Sequence, residues 1–189
     1  MPGNADEELL DPTNWYNEDH SDYYTAGEDI EQYTNTREII NSGKWSSRAH
    51  GIYRDPERII RKQIVAGAET KDAEIGNSFK YVAFYNYFLR PAKKGLSIKQ
   101  SITQVDEKIA NDAFMELVQL LKPDYVFFLS KFAYETHKRN NRNSNSFKTN
   151  FSPHPSCSWW NRKHIHYHEK LLTGKEKMIE FLVSNKVFE

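Results

Sequence analysis

A chain of 189 residues suffices for one domain with a sizeable core, and its 26 Lys and Arg balance its 26 Asp and Glu. That balance excludes a global field that would recruit nucleic acid, although a local basic loop still can, because affinity follows the phosphates contacted. The single cysteine, Cys157, excludes an internal disulfide; with no apolar run of spanning length and an acidic Met1–Leu10 in place of a signal peptide, the expected location is the cytoplasm.

Residues 1–26 read as an irregular acidic segment. Asp11-Pro12 and Asn14 favour turns there, and only Leu9, Leu10, Trp15, Tyr16, Tyr23 and Tyr24 can anchor it. Residues 27–189 read as a single domain. Ile30, Tyr33, Ile39 and Ile40 are partly periodic, which predicts a helix from Gly27 to a stop at Gly43. A second helix is predicted from Asp55 as N-cap, with Pro56 in its first turn and Ile59, Ile60, Gln63 and Ile64 on one face.

Phe79–Phe88, FKYVAFYNYF, is almost continuously apolar and predicts a strand buried on both faces, with Asn86 near its end and Pro91 closing it. Val105 to Leu121 predicts a helix whose core stripe is Val105, Ile109, Ala113, Leu117 and Leu121, widened by Phe114 and Val118. Tyr125–Leu129 predicts a second buried strand and Phe132–His137 a short helix. The basic, asparagine-rich His137–Lys148 reads as an exposed loop, and Lys148–Ser152 as a third strand. A capping box, Thr173 with Glu176, opens the last helix, with Ile179, Leu182 and Val183 on one face. Buried strands alternating with helices imply a parallel sheet between helix layers, and in such sheets ligands sit beyond the carboxyl ends of strands.

One loop stands out. Asn150–Arg162, NFSPHPSCSWWNR, follows the third strand directly. Pro153 and Pro155 lack amide donors and fix their own φ, so neither helix nor central strand can continue, and His154 is held on a stiff loop. Trp159 and Trp160 supply flat surfaces and Arg162 a fork suited to phosphate. The alternative is a turn whose tryptophans plug the core.

In this order, FYNYF with Asn86, the helix Val105–Leu121, KPDYVFFLSKFAYE and SPHPSCSWWNR together resemble the uracil-DNA glycosylase superfamily, from about Phe79 to the end of the chain. The resemblance implies an α/β fold, a three-layer αβα sandwich around a short parallel sheet of about four strands. It implies that Asn86 reads the base and that His154 is catalytic. It also implies that Pro155, Ser156, Trp159, Trp160, Arg162 and Lys163 form the DNA-contacting loop. The departure is at the start: the family opens with a strand and a glycine-containing loop that supplies its water-activating residue, and no such strand precedes Asp11-Pro12. The expectation is that the chain begins inside that first loop, with Met1 an internal methionine.

The chemistry fits those residue types. Breaking a base from its sugar leaves negative charge on the departing base, which a neutral histidine can stabilise by donating to a base oxygen, an effect worth a few kcal/mol. An asparagine amide offers adjacent donor and acceptor to a uracil-like edge; otherwise Asn86 ties down its own loop. Lys138, Arg139, Arg142 and Lys148 add phosphate contacts or simply form a solvated loop, and Trp45, Arg48 and His50 are candidates for the pocket border. His164, His166 and His168 alternate near Cys157 and His154, but without paired cysteines or a carboxylate-supported motif the expectation is no metal and no cofactor. The expected partner is DNA, with no membrane and a monomeric chain. The expected function is hydrolysis of the N-glycosidic bond of uracil or another damaged base. The alternatives are a catalytically inactive nucleic-acid-binding protein of the same fold, or a nucleoside hydrolase or small-molecule binder.

Overall fold

The computed structural model describes residues 11–17, 36–43, 45, 51–68, 76–90, 96–141, 146–165 and 171–189. The chain divides into two compact units, Met1–Ile39 with Asn86–Lys122, and Ile40–Tyr85 with Pro123–Glu189. Among the described residues the architecture is mixed α/β, with a short two-stranded parallel sheet.

In the first unit, Asp11-Pro12 opens a short helix, α1 (Pro12–Asn17), where a turn was expected. The Asp11 carboxylate accepts from the Thr13 amide at 2.9 Å, which favours the helical entry. Helix α2 (Thr36–Ser42) lies where the predicted Gly27–Gly43 helix ends, and residues 27–35 of that prediction fall outside the described residues. The short α4 (Ile98–Ser101) leads to α5 (Gln104–Leu121), whose start is fixed by a capping box between Thr103 and Asp106. Lys122, in the left-handed region at φ 46°, caps its end before Pro123.

The buried residues of α5 are Asp106, Ala110, Asn111, Phe114 and Val118; Phe114 and Val118, expected to widen the stripe, are buried, whereas Val105 and Leu121 at its ends are exposed. Arg90, itself buried, reaches Asp106 through Nε and Nη2, both at 2.8 Å, and Nη2 also donates to the Ser101 carbonyl at 2.6 Å. The Tyr16 hydroxyl of α1 donates to the same carboxylate at 2.9 Å. Burial pushes the Asp106 carboxyl up, but the Arg90 guanidinium, the Thr103 amide and hydroxyl and the Tyr16 phenol outweigh it and hold the pKa at about 2. The buried carboxylate is thus fully partnered.

In the second unit, α3 (Gly51–Ala68) begins a turn before the predicted cap, so Pro56 lies inside the helix, at the loss of the amide donor it lacks. Ile59, Ile60 and Ile64 are buried as the periodicity implies. The predicted strand Phe79–Phe88 is not one. Ser78–Tyr81 is a 3-10 turn, and the chain beyond it is extended at Val82 (φ −138°, ψ 152°) without joining a ladder. The local donors go elsewhere: the Asn77 side chain accepts from the Phe79 amide at 3.0 Å, and the Ser78 hydroxyl donates to the Glu57 carbonyl of α3 at 3.0 Å. The aromatic run serves as core all the same, with Phe79 edge-on to Trp45 and Phe84, and Phe84 against Tyr53.

Strands β1 (Tyr125–Phe128) and β2 (Lys148–Phe151) pair in parallel, Tyr125 opposite Lys148 and Phe128 opposite Phe151, with α6 (Lys131–Asn140) between them in sequence. Side-chain alternation along β1 sets its two faces. Tyr125 and Phe127 meet Phe181 of α7 (Gly174–Ser184), whereas Phe128 meets Tyr134 and His137 of α6. The Thr173–Glu176 capping box is present in α7, but its core face is Met178, Phe181 and Leu182; Ile179 and Val183 are exposed. Strands β3 (His164–Ile165) and β4 (Leu171–Leu172) pair antiparallel and precede α7 in the chain. No helix among the described residues is long and apolar enough to cross a membrane.

Candidate functional site

The histidine loop grows out of β2. The Ser152 amide still donates to the Phe128 carbonyl at 2.9 Å, continuing the ladder by one bond, and the ladder stops where Pro153 has no amide to offer. Pro153 and Pro155 are both buried, and His154 between them is exposed. Two anchored rings thus present the imidazole outward. The Cys157 amide donates to the His154 carbonyl at 2.8 Å, closing a turn with Pro155 at its second position, where a fixed φ near −65° is favourable.

This turn decides which histidine nitrogen carries the proton. The Ser156 amide donates to His154 Nδ1 at 3.2 Å, and the Ser156 hydroxyl lies 2.6 Å from the same nitrogen. An amide can only donate, so Nδ1 must hold its lone pair and accept; the neutral ring then carries its proton on Nε2. The packing around the ring lowers its pKa below the ordinary value, because surrounding protein atoms disfavour the charged form. In its neutral form the imidazole on this loop thus has an N–H donor at Nε2, the form that can stabilise a developing oxyanion.

The two tryptophans part company. Trp159 is 41% exposed and meets the His164 ring edge-on at 4.4 Å. Trp160 is fully buried, and its indole Nε1 donates to Asp55 Oδ2 of α3 at 2.9 Å. The plug reading holds for Trp160, which has no free face for stacking on a base. Gly174 makes that burial feasible: a Cβ there would lie 2.7 Å from Trp160 Cε3 and 3.3 Å from Pro153 Cδ. Asp55, read from the sequence as a helix cap, is instead the anchor of this loop, and it also takes Lys175 at 3.3 Å. Nothing in the sequence signals a pairing across 105 positions.

Ser156, Arg162 and Lys163 are exposed beside His154 in sequence, whereas Pro155 is buried and acts as a loop anchor. Lys138 and Arg139 are exposed on α6, where Lys138 lies over the Tyr134 ring and Arg139 donates to Thr136; Lys148 lies over Tyr125. Arg48, His50, Arg142, His166 and His168 lie outside the described residues. Among the described residues no group of three or more His, Cys, Asp or Glu side chains could hold a metal ion. Cys157 is a half-buried free thiol. Asn86 is an exposed residue of the first unit, next to Tyr87, which is buried against Phe114; the histidine loop belongs to the second unit. Comparison with protein-family models, curated proteins and solved structures finds no match to this chain.

Proposed function

We propose that this chain is a DNA glycosylase-like hydrolase of the uracil-DNA glycosylase type, acting without cofactor or metal as a cytoplasmic monomer. In this reading β1 and β2 are part of a four-stranded parallel sheet in a three-layer αβα sandwich. DNA is the partner, and a uracil-like base leaves the stack. His154 donates its Nε2 proton in a hydrogen bond to a base oxygen as the C1′–N bond breaks; a water oxygen then bonds to C1′ and the departing base takes up a proton. Trp159, Arg162 and Lys163 face the strand.

The observation that carries the reading is the Ser156 amide on His154 Nδ1, which leaves the N–H of the neutral ring on Nε2. A preorganised donor of this kind is worth on the order of a hundred- to a thousand-fold in rate. The test is release of free uracil from a labelled oligonucleotide. The full chain should release it, and His154→Ala should lose release by about that factor while still binding the oligonucleotide. Salt-dependent binding with no release by the parent chain would assign a non-catalytic nucleic-acid-binding protein instead.

A further inference from the structure

A second polar concavity lies on α3, away from the histidine turn in sequence but in the same compact unit. It is a cleft of about 380 Å³ lined by Arg54, Glu57, Arg58 and Arg61, with Trp45 among its walls. The four charged residues fall at spacings of three and four along one helix, so they share a face. Three guanidiniums therefore meet one carboxylate.

The local partners show which charge is spare. Glu57 is buried and committed to Arg61, whose Nε and Nη2 reach Oε1 at 3.0 and 2.8 Å; the same oxygen accepts from the Ser78 amide. Arg61 also donates to the Gly76 carbonyl. Arg54 donates to the Trp45 carbonyl at 3.1 Å and lies 3.8 Å from Asp55. Arg58 is exposed and has no hydrogen bond or ion pair among the described residues. Its neighbours are thus locked in place around it while its own five donors remain available. A planar fork beside two fixed guanidiniums matches the oxygens of a phosphate group.

We infer that this cleft binds a phosphate group through Arg58, with Arg54 and Arg61 as fixed walls. The source favoured by its position is the backbone of a nucleic acid. Asp55 joins α3 to the histidine loop through Trp160 and lies three residues, under one helical turn, before Arg58. The choice of source rests on the glycosylase-like reading; the phosphate site does not.

The experiment titrates the full chain with a fluorescent oligonucleotide at several salt concentrations, and separately with inorganic phosphate. Arg58→Glu should weaken oligonucleotide binding about ten-fold and lower the salt slope by about one contact, Arg58→Lys should lose less, and thermal stability should hold in both. The charge-matched Lys99→Glu, on an exposed site of the first unit, should leave binding unchanged. Weaker phosphate binding by Arg58→Glu with unaltered oligonucleotide affinity would keep the site and assign it to a free phosphate ester. Overturning results are a loss shared equally by Lys99→Glu, or no change in either titration. Uracil release is read in the same samples, so a chain without release that still shows the Arg58 effect refutes the enzymatic reading alone.

Discussion

The indole of Trp160 donates to Asp55 across 2.9 Å, and that bond links the histidine loop to α3. Asp55→Ala leaves a buried N–H with no acceptor, which costs about 1–3 kcal/mol. The expected result in urea denaturation is a drop of that size, with the fluorescence of Trp160 altered in the folded state. Adding Trp160→Phe to Asp55→Ala should cost less than the sum of the two single changes, since both remove one interaction. Strict additivity would show that the bond contributes nothing.

Gly174 turns the usual helix preference around. Alanine in a helix is ordinarily favoured over glycine by up to about 1 kcal/mol. Here its methyl would lie 2.7 Å from the Trp160 ring and 3.1 Å from the Trp160 Cα, and the backbone side of that contact cannot swing away. Gly174→Ala should therefore destabilise by about 1–3 kcal/mol, the range for overpacking a filled site. A rise in melting temperature would contradict this packing.

What the sequence made legible was whatever depended on neighbours a few residues apart. The capping box at Thr173, the strand YVFF and the proline-flanked histidine follow from local chemistry, and each is present. Two of the departures involve polar partners. On α5 the buried Asp106 pairs with Arg90, which apolar periodicity alone does not reveal. FKYVAFYNYF has the composition of a buried strand, but Asn77 and Glu57 take its first backbone groups and leave it a 3-10 turn with an aromatic cluster. Of the candidate site, His154 and Trp159 were legible as outward-facing groups. The fate of Trp160 depended on Asp55, which no spacing in the chain marks as its acceptor.

The Arg90–Asp106 pair makes a prediction about acid. Both side chains are buried, so removing either partner strands a charge, and Arg90→Met should cost about 3–5 kcal/mol. The folded-state pKa of Asp106, about 2, lies below its ordinary value of 3.8. A depressed carboxyl contributes its full stability above the unfolded value and loses it as pH falls toward the folded one. The pair should therefore give up on the order of 2 kcal/mol between about pH 4 and pH 2. Urea midpoints across that range, for the parent and Asp106→Asn, check it: the variant should be weaker at pH 7 and lack that part of the slope. Parallel curves would place the acid sensitivity elsewhere.

His154 is predicted to titrate in the opposite sense from a histidine that gains a carboxylate. Its folded pKa is lowered by the packing around it, so on acidification the unfolded chain takes up the proton first. Stability should consequently fall as pH drops through the ordinary histidine value, and level off only below the folded one. Nuclear magnetic resonance of the ring tests both parts of the claim. The carbon-bound proton should titrate with a midpoint below that of a free imidazole, and the neutral form should show a nitrogen pattern with Nδ1 unprotonated. Ser156→Ala removes the hydroxyl 2.6 Å from Nδ1 and should move the midpoint back toward the ordinary value. If uracil release is found, its acid limb should follow this midpoint in both proteins, because only the neutral ring donates without first adding charge. A ring with its proton on Nδ1 would remove the outward donor, and with it the catalytic role assigned to this histidine.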